Sequence, residues 1–147
     1  QGKLTAVVTQ NIDGLHQLAG SKNVYELHGS IHRNHCMRCN RFFDAEYVKN
    51  HSGIPYCSCG GMIKPDVVLY EESLDPDVLA GAVAHISRAD MLIVGGTSLQ
   101  VYPAAGLINY YSGNKLVLIN KTITPYDSYA NLVINDSIGK VLSAAVE

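Results

Sequence analysis

The four cysteines of this chain lie in one short window, and their spacing is the strongest constraint that the sequence places on the fold. Cys36 and Cys39 form the pair CMRC, and Cys57 and Cys59 form the shorter pair CSC. Two close pairs separated by about 15 to 20 residues are typical of a structural zinc site, because zinc takes four thiolates at the corners of a tetrahedron. The alternatives are two disulfides or four unrelated buried thiols. Disulfides need an oxidising compartment, for which the sequence shows no targeting pattern.

Residues 30–64 are predicted to form a small zinc-binding module around these cysteines. The segment is polar, and Phe42 and Phe43 are its expected apolar anchor. Because such a segment buries little apolar surface, metal binding would supply much of its folding free energy. His35, next to Cys36, is a possible substitute ligand, but four cysteines already fill the metal's coordination shell. His32 and His51 are expected to be solvated loop residues.

On either side of this module, residues 1–29 and 65–147 are predicted to form a Rossmann-like α/β domain. The short apolar runs LTAVVTQ, DMLIVGG and KLVLIN suit strands that helices cover on both faces. One helix is predicted to begin after Asp75, which would cap it, with Pro76 in the first turn. A second is predicted from Pro103 to Gly113. This alternation of strands and helices predicts a parallel sheet with right-handed crossovers.

Polar residues follow three of these strands at their carboxyl ends, where parallel sheets bind ligands. Gln10, Asn11 and Asp13 follow the first strand, GGTS at 95–98 follows the second, and Asn120 follows the third. The amides of a Gly-Gly turn and the neighbouring hydroxyls suit a phosphate or a ribose. Together the three ends predict a nucleotide site. The G-x-G-x-x-G fingerprint is not in this chain, so the pyrophosphate loop of a dinucleotide site would lie in a preceding segment.

Charge and hydropathy exclude two classes of partner. The net charge is −2 and there is no long basic run, so a face that neutralises nucleic-acid phosphates is not expected. No apolar run approaches the roughly 20 residues that cross a membrane. We therefore expect a cytoplasmic protein that binds neither nucleic acid nor membrane. Because the sequence opens almost directly in a strand, we expect this chain to be the C-terminal part of a longer protein.

The chain resembles the sirtuins, the NAD-dependent protein lysine deacylases, and among them the C-terminal part of a bacterial-type member. The motifs that carry the resemblance are TQNIDGLH, ELHG, the four cysteines, KPDVVLYEE and GGTSLQVYPAA, in that order. The family's N-terminal segment GAGIS…GIPDFR is not in this chain. We expect the chain to need that missing N-terminal segment of the same protein as a partner, or to dimerise, because its sheet would otherwise expose an unpaired edge.

A second departure from the family lies in the motif LYEE. Many sirtuins carry FGE at this point, so that Tyr70 and Glu71 stand where those proteins have Phe and Gly. Losing a glycine predicts a less flexible loop and an altered contact with bound peptide.

The resemblance implies a role for each candidate site residue. His28 would be the general base, since histidine can take up a proton near neutral pH. Asn11 and Asp13 would line the pocket for the nicotinamide carboxamide, and Gln10 would bind the nicotinamide ribose. The residues implied for the adenosine half of NAD are Gly96, Thr97, Ser98, Asn120 and Ile138. Those implied for the substrate peptide are Val67, Val68 and Val101.

The implied reaction is deacylation of a lysine side chain with consumption of NAD, which gives free lysine, nicotinamide and an acyl-ADP-ribose. The partners would be acyl-lysine proteins or peptides that add a strand to the protein by β-augmentation, and Zn²⁺ would be a structural metal. Two alternatives remain open, an NAD-dependent ADP-ribosyltransferase and a non-catalytic zinc-ribbon binding module. A product analysis separates the two enzymes, because a deacylase releases free acyl-ADP-ribose whereas an ADP-ribosyltransferase modifies a protein nucleophile.

Overall fold

A computed structural model describes residues 2–146, which form two compact units that meet in sequence between Gly81 and Ala82. Both units contain parallel strands, and the first also contains a ribbon that carries the four cysteines. The predicted α/β class with a small zinc ribbon is therefore confirmed, whereas the predicted domain limits at residues 30 and 64 stay a prediction. Among the described residues, no helix has the length and apolar character to cross a bilayer.

The first unit contains a two-stranded parallel sheet and a three-stranded antiparallel sheet. Its elements are β1 Val7–Thr9, α1 Leu15–Leu18, β2 Val24–Glu26, β3 Gly29–Cys36, β4 Phe42–Asp44, α2 Ala45–Lys49, β5 Ile63–Val67 and the first turns of α3 Pro76–Ser87. β1 pairs with β2, and β3 lies between β4 and β5. β5 is therefore an edge strand of the second sheet.

β1 is shorter than the apolar run that predicted it. LTAVVTQ spans residues 4–10, but the strand covers Val7–Thr9, because β2 offers just three residues as partners. Before the strand begins, Asn23 holds the chain from both sides. The Val7 amide donates to the Asn23 carbonyl at 2.8 Å, and the Asn23 side chain donates to the Thr5 carbonyl at 2.8 Å.

β3 and β5 pair in two segments with a bulge between them. Residues 29–30 of β3 pair with residues 66–67 of β5, and residues 34–36 pair with residues 63–65. The intervening part of β3 leaves the ladder with β5 and can turn its side chains elsewhere, although Arg33 still pairs with Asp44 of β4. Asn34, which is fully buried, closes the bulge by donating from its side chain to a main-chain carbonyl within it at 3.1 Å.

The apolar core of the ribbon is larger than the sequence indicated. Phe43 packs with Val48 and Ile63 around the buried sulfurs of the metal site. The expectation that Phe42 shares this anchor is wrong, because successive residues of a strand face opposite sides. Phe42 is 54% exposed, and its ring meets His35 edge-on with centroids 5.5 Å apart.

The predicted cap of α3 is confirmed. One carboxylate oxygen of Asp75 accepts from the amides of Asp77 at 2.8 Å and Val78 at 3.2 Å. These are donors that the first turn of a helix cannot satisfy internally. Ala82 and Ile86 are the buried residues of the helix, one turn apart on the predicted apolar face.

The second unit is built on a three-stranded parallel sheet in the order β6-β7-β8. Its elements are β6 Leu92–Gly95, a 3-10 helix Ala104–Tyr110, β7 Leu116–Ile119, a short 3-10 helix Asp127–Tyr129, β8 Leu132–Ile134 and α4 Ile138–Ala145. Leu118 of the central strand is fully buried, and Leu99, Ile108 and Leu116 pack into the same core. β8 was not predicted, because its apolar run is very short.

The helix predicted from Pro103 to Gly113 is a 3-10 helix that ends at Tyr110. Tyr111 is extended, with φ −82° and ψ 122°. Its hydroxyl donates to the Asp90 carbonyl at 3.1 Å and accepts from the Lys115 amide at 3.0 Å. These contacts hold Tyr111 outside the helix. Local helix signals in the sequence do not predict them, because Asp90 is distant in the chain.

Substitution of Gly29 tests the close approach of β3 to β5. Gly29 has φ +77°, and a Cβ there would overlap the carbonyl oxygen of Asp66 on β5. Gly20 also has a positive φ, of +86°, but nothing lies within 4 Å of its missing Cβ. We expect Gly20→Ala to lower the free energy of unfolding by about 1–2 kcal/mol through backbone strain. Gly29→Ala should lower it by a further 1–3 kcal/mol or so through overpacking.

Denaturant unfolding of the zinc-loaded protein would measure both changes. Equal losses of stability in the two variants would contradict the close approach of the strands.

Candidate functional site

The four cysteine sulfurs form a cluster of the size that a tetrahedral zinc site requires. All four lie within 4.8 Å of one another. Across the two pairs, Cys36 and Cys59 are 3.5 Å apart, and Cys39 and Cys57 are 3.6 Å apart. Zinc–sulfur bonds of about 2.3 Å in a tetrahedron place neighbouring sulfurs about 3.8 Å apart. The geometry and the soft donors therefore fit a Zn²⁺ ion held by all four residues.

The thiols of this cluster hold their protons unequally. The Cys39 amide donates to the Cys36 thiol and, with smaller help from neighbouring donors, lowers the pKa of Cys36 to about 6 despite burial. At Cys59 the Gly61 amide acts in the same direction. Hydrogen bonding to Cys36 and the other thiols, together with burial, outweighs that amide and raises the pKa of Cys59 to about 11. A zinc ion would replace these protons, which couples metal binding to proton release.

The His28 ring lies at the end of β1, next to the polar residues that follow this strand. Its Nδ1 atom lies 3.1 Å from the main-chain carbonyl oxygen of Gln10. The Leu27 amide donates to the Thr9 carbonyl at 2.9 Å, which continues the pairing of the two strands up to the histidine. Gln10 and His28 are thus brought together, and both are half-buried.

Asn11 and Asp13 lie in the turn that leads into α1. The Asn11 amide donates to the Thr9 hydroxyl at 3.1 Å, and Asn11 itself is exposed. One carboxylate oxygen of Asp13 accepts from the Leu15 amide at 3.0 Å. The turn therefore has a fixed main-chain path.

His32 is a site residue that the sequence analysis missed. We expected His32 to lie in a loop, but it lies in the bulge of β3. Its Nε2 atom lies 2.9 Å from the Asp13 carbonyl oxygen. A Cβ on Gly14 would come within 2.8 Å of this ring. His32 thus supports the turn that carries Asp13. No sequence signal links the two residues, because the contact depends on the bulge.

Val67 and Val68 lie beside His28. Val67 is the last residue of β5 and pairs with Gly29. The Val68 amide donates to the His28 carbonyl at 3.0 Å. Since β5 is an edge strand, this places a strand edge next to the histidine, and the Lys64 ammonium donates to the Val67 carbonyl there at 3.1 Å.

The second unit presents a loop of small residues at the end of β6. Gly96 has φ +66°, is exposed and has nothing within 4 Å of its missing Cβ. Asn120 follows β7 and holds this loop by pairing its side-chain amide with the main chain of Thr97, at 3.0 Å to the nitrogen and 2.8 Å to the oxygen. Ser98 is exposed. The structure therefore places Gly96, Thr97, Ser98 and Asn120 together.

Ile138, the first residue of α4, lies against the same loop. A Cβ on Gly95 would overlap the Ile138 side chain and would come within 3.0 Å of the Ile119 carbonyl oxygen. Glycine at position 95 is thus required for the close packing of β6 on α4. Val101 lies after the loop and is 52% exposed.

The loop after β5 keeps a backbone conformation that favours glycine. Glu71 has φ +71°, and Tyr70 is fully exposed. Glu72 holds the loop, because its carboxylate accepts from the Leu69 amide at 2.9 Å and lies 3.5 Å from the Lys64 ammonium. The Leu69 amide, helped by Lys64, lowers the pKa of Glu72. A glutamate in this conformation stores local backbone strain.

A family model described as "Sir2 family" matches residues 1–103 of this chain. The chain belongs to the Sir2 family. Among curated relatives, it is 69% identical to an NAD-dependent protein deacetylase of Clostridium acetobutylicum, with 99% of this chain and 60% of the relative covered. It is 64% identical to a protein of the same name from Clostridium tetani, with the same coverage. The chain thus spans about 60% of the length of these relatives.

Solved structures of Sir2 proteins share the fold. One, described as "Sir2-p53 peptide-NAD+", is 42% identical with a TM-score of 0.89, covering 97% of this chain and 62% of that one. Another, described as "Sir2 bound to acetylated peptide", is 41% identical with a TM-score of 0.88, and the coverage is the same.

Removal of zinc should unfold the ribbon of this Sir2 chain. We expect one zinc ion per chain, and its loss to a chelator should abolish the protection of the β3 and β5 amides from hydrogen exchange. The reason is that structural zinc supplies roughly 10 kcal/mol or more to such modules. Cys57→Ser should have the same effect without a chelator. Full protection in the metal-free protein would contradict a structural metal.

Glycine at position 71 should stabilise the protein. Glu71→Gly relieves a left-handed conformation and should raise the free energy of unfolding by about 1 kcal/mol, after allowance for the greater freedom of glycine in the unfolded chain. The matched control is Glu46→Gly in α2, which should lower the stability by about 1 kcal/mol. Denaturant unfolding measures both, and a loss of stability in both variants would show that Glu71 is unstrained.

Proposed function

We propose that this chain carries the general base, the nicotinamide-end residues and the peptide-binding edge of an NAD-dependent protein lysine deacylase. Membership of the Sir2 family and the names of its closely similar relatives support this activity. The observation that carries the proposal is the setting of His28 between the Gln10 carbonyl and the edge at Val68.

The contact with Gln10 selects the tautomer of His28. A main-chain carbonyl oxygen can accept a hydrogen bond but cannot donate one, so the Nδ1 atom that faces it must carry the proton. In neutral His28 the lone pair is then on Nε2. This atom would take the proton from a ribose hydroxyl of the bound dinucleotide, which is the role of a general base.

The polar turn after β1 would hold the nicotinamide end. We propose that the Asp13 carboxylate accepts from the carboxamide nitrogen, that Asn11 holds an ordered water molecule there, and that Gln10 binds the ribose through its side chain. The hydrogen bonds that fix this turn support the assignment, because a preorganised site loses little conformational entropy on binding.

The edge of β5 that faces away from β3 would bind the substrate. An acyl-lysine peptide that adds a strand beside Val67 and Val68 is bound through main-chain groups, which gives affinity with little sequence preference. The hydrogen bond between Val68 and His28 supports this placement, because it ties the edge to the base. In the second unit, Val101, whose side chain is 52% exposed, is proposed as a further substrate-binding residue.

The loop at 95–98 would bind the adenosine half. The open space at Gly96 allows a ligand to approach the main chain closely. Ser98 is exposed, so its hydroxyl is accessible to the ligand. Asn120 would act through the main chain of Thr97 as well as on the ligand, and Ile138 would lie against the base. When bound, NAD supplies an electrophilic ribose carbon and a leaving group. With one water molecule consumed, the products are nicotinamide, free lysine and acyl-ADP-ribose.

A product analysis tests the proposal. The assay uses this chain completed with the part of the Clostridium acetobutylicum relative that lies outside the match, together with an acetyl-lysine peptide, with and without NAD. Mass spectrometry should find free lysine peptide, nicotinamide and acetyl-ADP-ribose. His28→Ala should reduce their formation at least ~100-fold, since a general base typically contributes that much.

His51→Ala is the control. His51 is exposed and stacks on Tyr47 in the ribbon, with ring centroids 5.0 Å apart, so turnover should be unchanged. ADP-ribose attached to protein, without free acetyl-ADP-ribose, would support a transferase instead. If no acyl peptide is turned over although NAD and zinc are bound, the remaining hypothesis is a non-catalytic binding module.

A further inference from the structure

Two arginines in or just after the first cysteine pair contact the segment that carries the second pair. Arg38 lies between Cys36 and Cys39 in sequence, and its guanidinium donates to the Cys59 carbonyl at 2.6 Å. The Arg38 amide also donates to the Cys36 sulfur at 3.4 Å. Arg38 therefore contacts one cysteine of each pair.

Arg41 makes a second bridge of the same kind. Its guanidinium donates to the Ser58 hydroxyl at 3.1 Å, and Ser58 is the residue between Cys57 and Cys59. The short CSC segment is thus held at two successive positions by side chains from the other half of the site.

A pair of glycines makes room for the first bridge. A Cβ on Gly61 would come within 2.6 Å of the Cys36 sulfur and 2.7 Å of the Arg38 Cβ atom. Gly60 has φ +79°, and its missing Cβ would lie 3.5 Å from the Arg38 guanidinium. The turn after Cys59 is therefore shaped to let Arg38 lie over it.

Neither arginine is neutralised by a carboxylate. In residues 2–146, the ion pairs of the first unit involve Arg33, His35 and Lys64, and none of them includes Arg38 or Arg41. Four thiolates around one Zn²⁺ leave two excess negative charges on the site. Two uncompensated guanidinium groups at the edge of the cluster are the matching countercharge.

We propose that Arg38 and Arg41 are positioning residues of the zinc site, which clamp the CSC segment against the first pair and offset the charge of the loaded cluster. Groups that orient metal ligands typically change metal affinity 10- to 100-fold, or thereabouts, when they are removed. The clamp acts on a short segment. With a single residue between Cys57 and Cys59, the segment has little conformational freedom of its own, and the guanidinium groups fix what remains.

Zinc release measures this role directly. The zinc-loaded protein is mixed with a large excess of a chromogenic chelator, and the rate of metal transfer is followed. We expect release to be about 10-fold faster in Arg38→Gln and several-fold faster in Arg41→Gln. The double variant should be faster than either, and Lys49→Gln, which removes an exposed cation of α2, should release zinc at the parental rate.

Two further variants separate the clamp from the charge. Ser58→Ala removes the acceptor of Arg41 but keeps its charge, so faster release in this variant measures the hydrogen bond. Arg38→Lys keeps the charge but loses the planar fork, so its rate should fall between those of the parent and Arg38→Gln. High salt should reduce the part of the effect that is electrostatic.

A spectroscopic control distinguishes positioning from loss of a ligand. Cobalt replaces zinc in each variant, and the position of the visible bands reports whether four sulfurs still surround the metal. Unchanged bands with faster release support positioning. Parental release rates in the Arg38→Gln and Arg41→Gln variants would overturn the proposal, as would cobalt bands that show a lost sulfur ligand. Neither result depends on whether the chain is a deacylase.

Discussion

The pairing of β3 with β5 connects the two chemical features of the first unit. At one end, this pairing places Cys36 beside Ile63, which follows the second cysteine pair closely in the sequence. At the other end, it places Gly29 beside Val67, next to His28. The metal ligand Cys36 and the main chain beside His28 are thus held by one pair of strands. A loosened ribbon would therefore disturb the main chain beside the proposed base.

The ribbon depends on metal because its apolar core is small. Phe43, Val48 and Ile63 are its main apolar contributors, and the sulfurs themselves complete the core. Zinc replaces the missing hydrophobic stabilisation with bonds between distant parts of the chain. Charged side chains at the edge of the cluster then matter more than they would on an ordinary surface, because they act on a site with excess charge.

Local signals in the sequence predicted the metal ligands and the Asp75 cap, because each depends on residues close together in the chain. The contacts missing from the prediction join distant residues. His32 reaches Asp13 through a bulge, and Tyr111 leaves its helix for a carbonyl on another segment. The strain at Glu71 is of a third kind, since the sequence shows that a glutamate stands there but not that its backbone is left-handed.

A main-chain atom, the carbonyl oxygen of Gln10, orients the His28 ring. Every amino acid supplies this oxygen, so a substitution at position 10 leaves the acceptor in place as long as the path of β1 is kept. The side chain at position 10 can therefore diverge during evolution and adjust ligand affinity. The contact with the neighbouring histidine is inherited with the backbone, which makes it robust to such divergence.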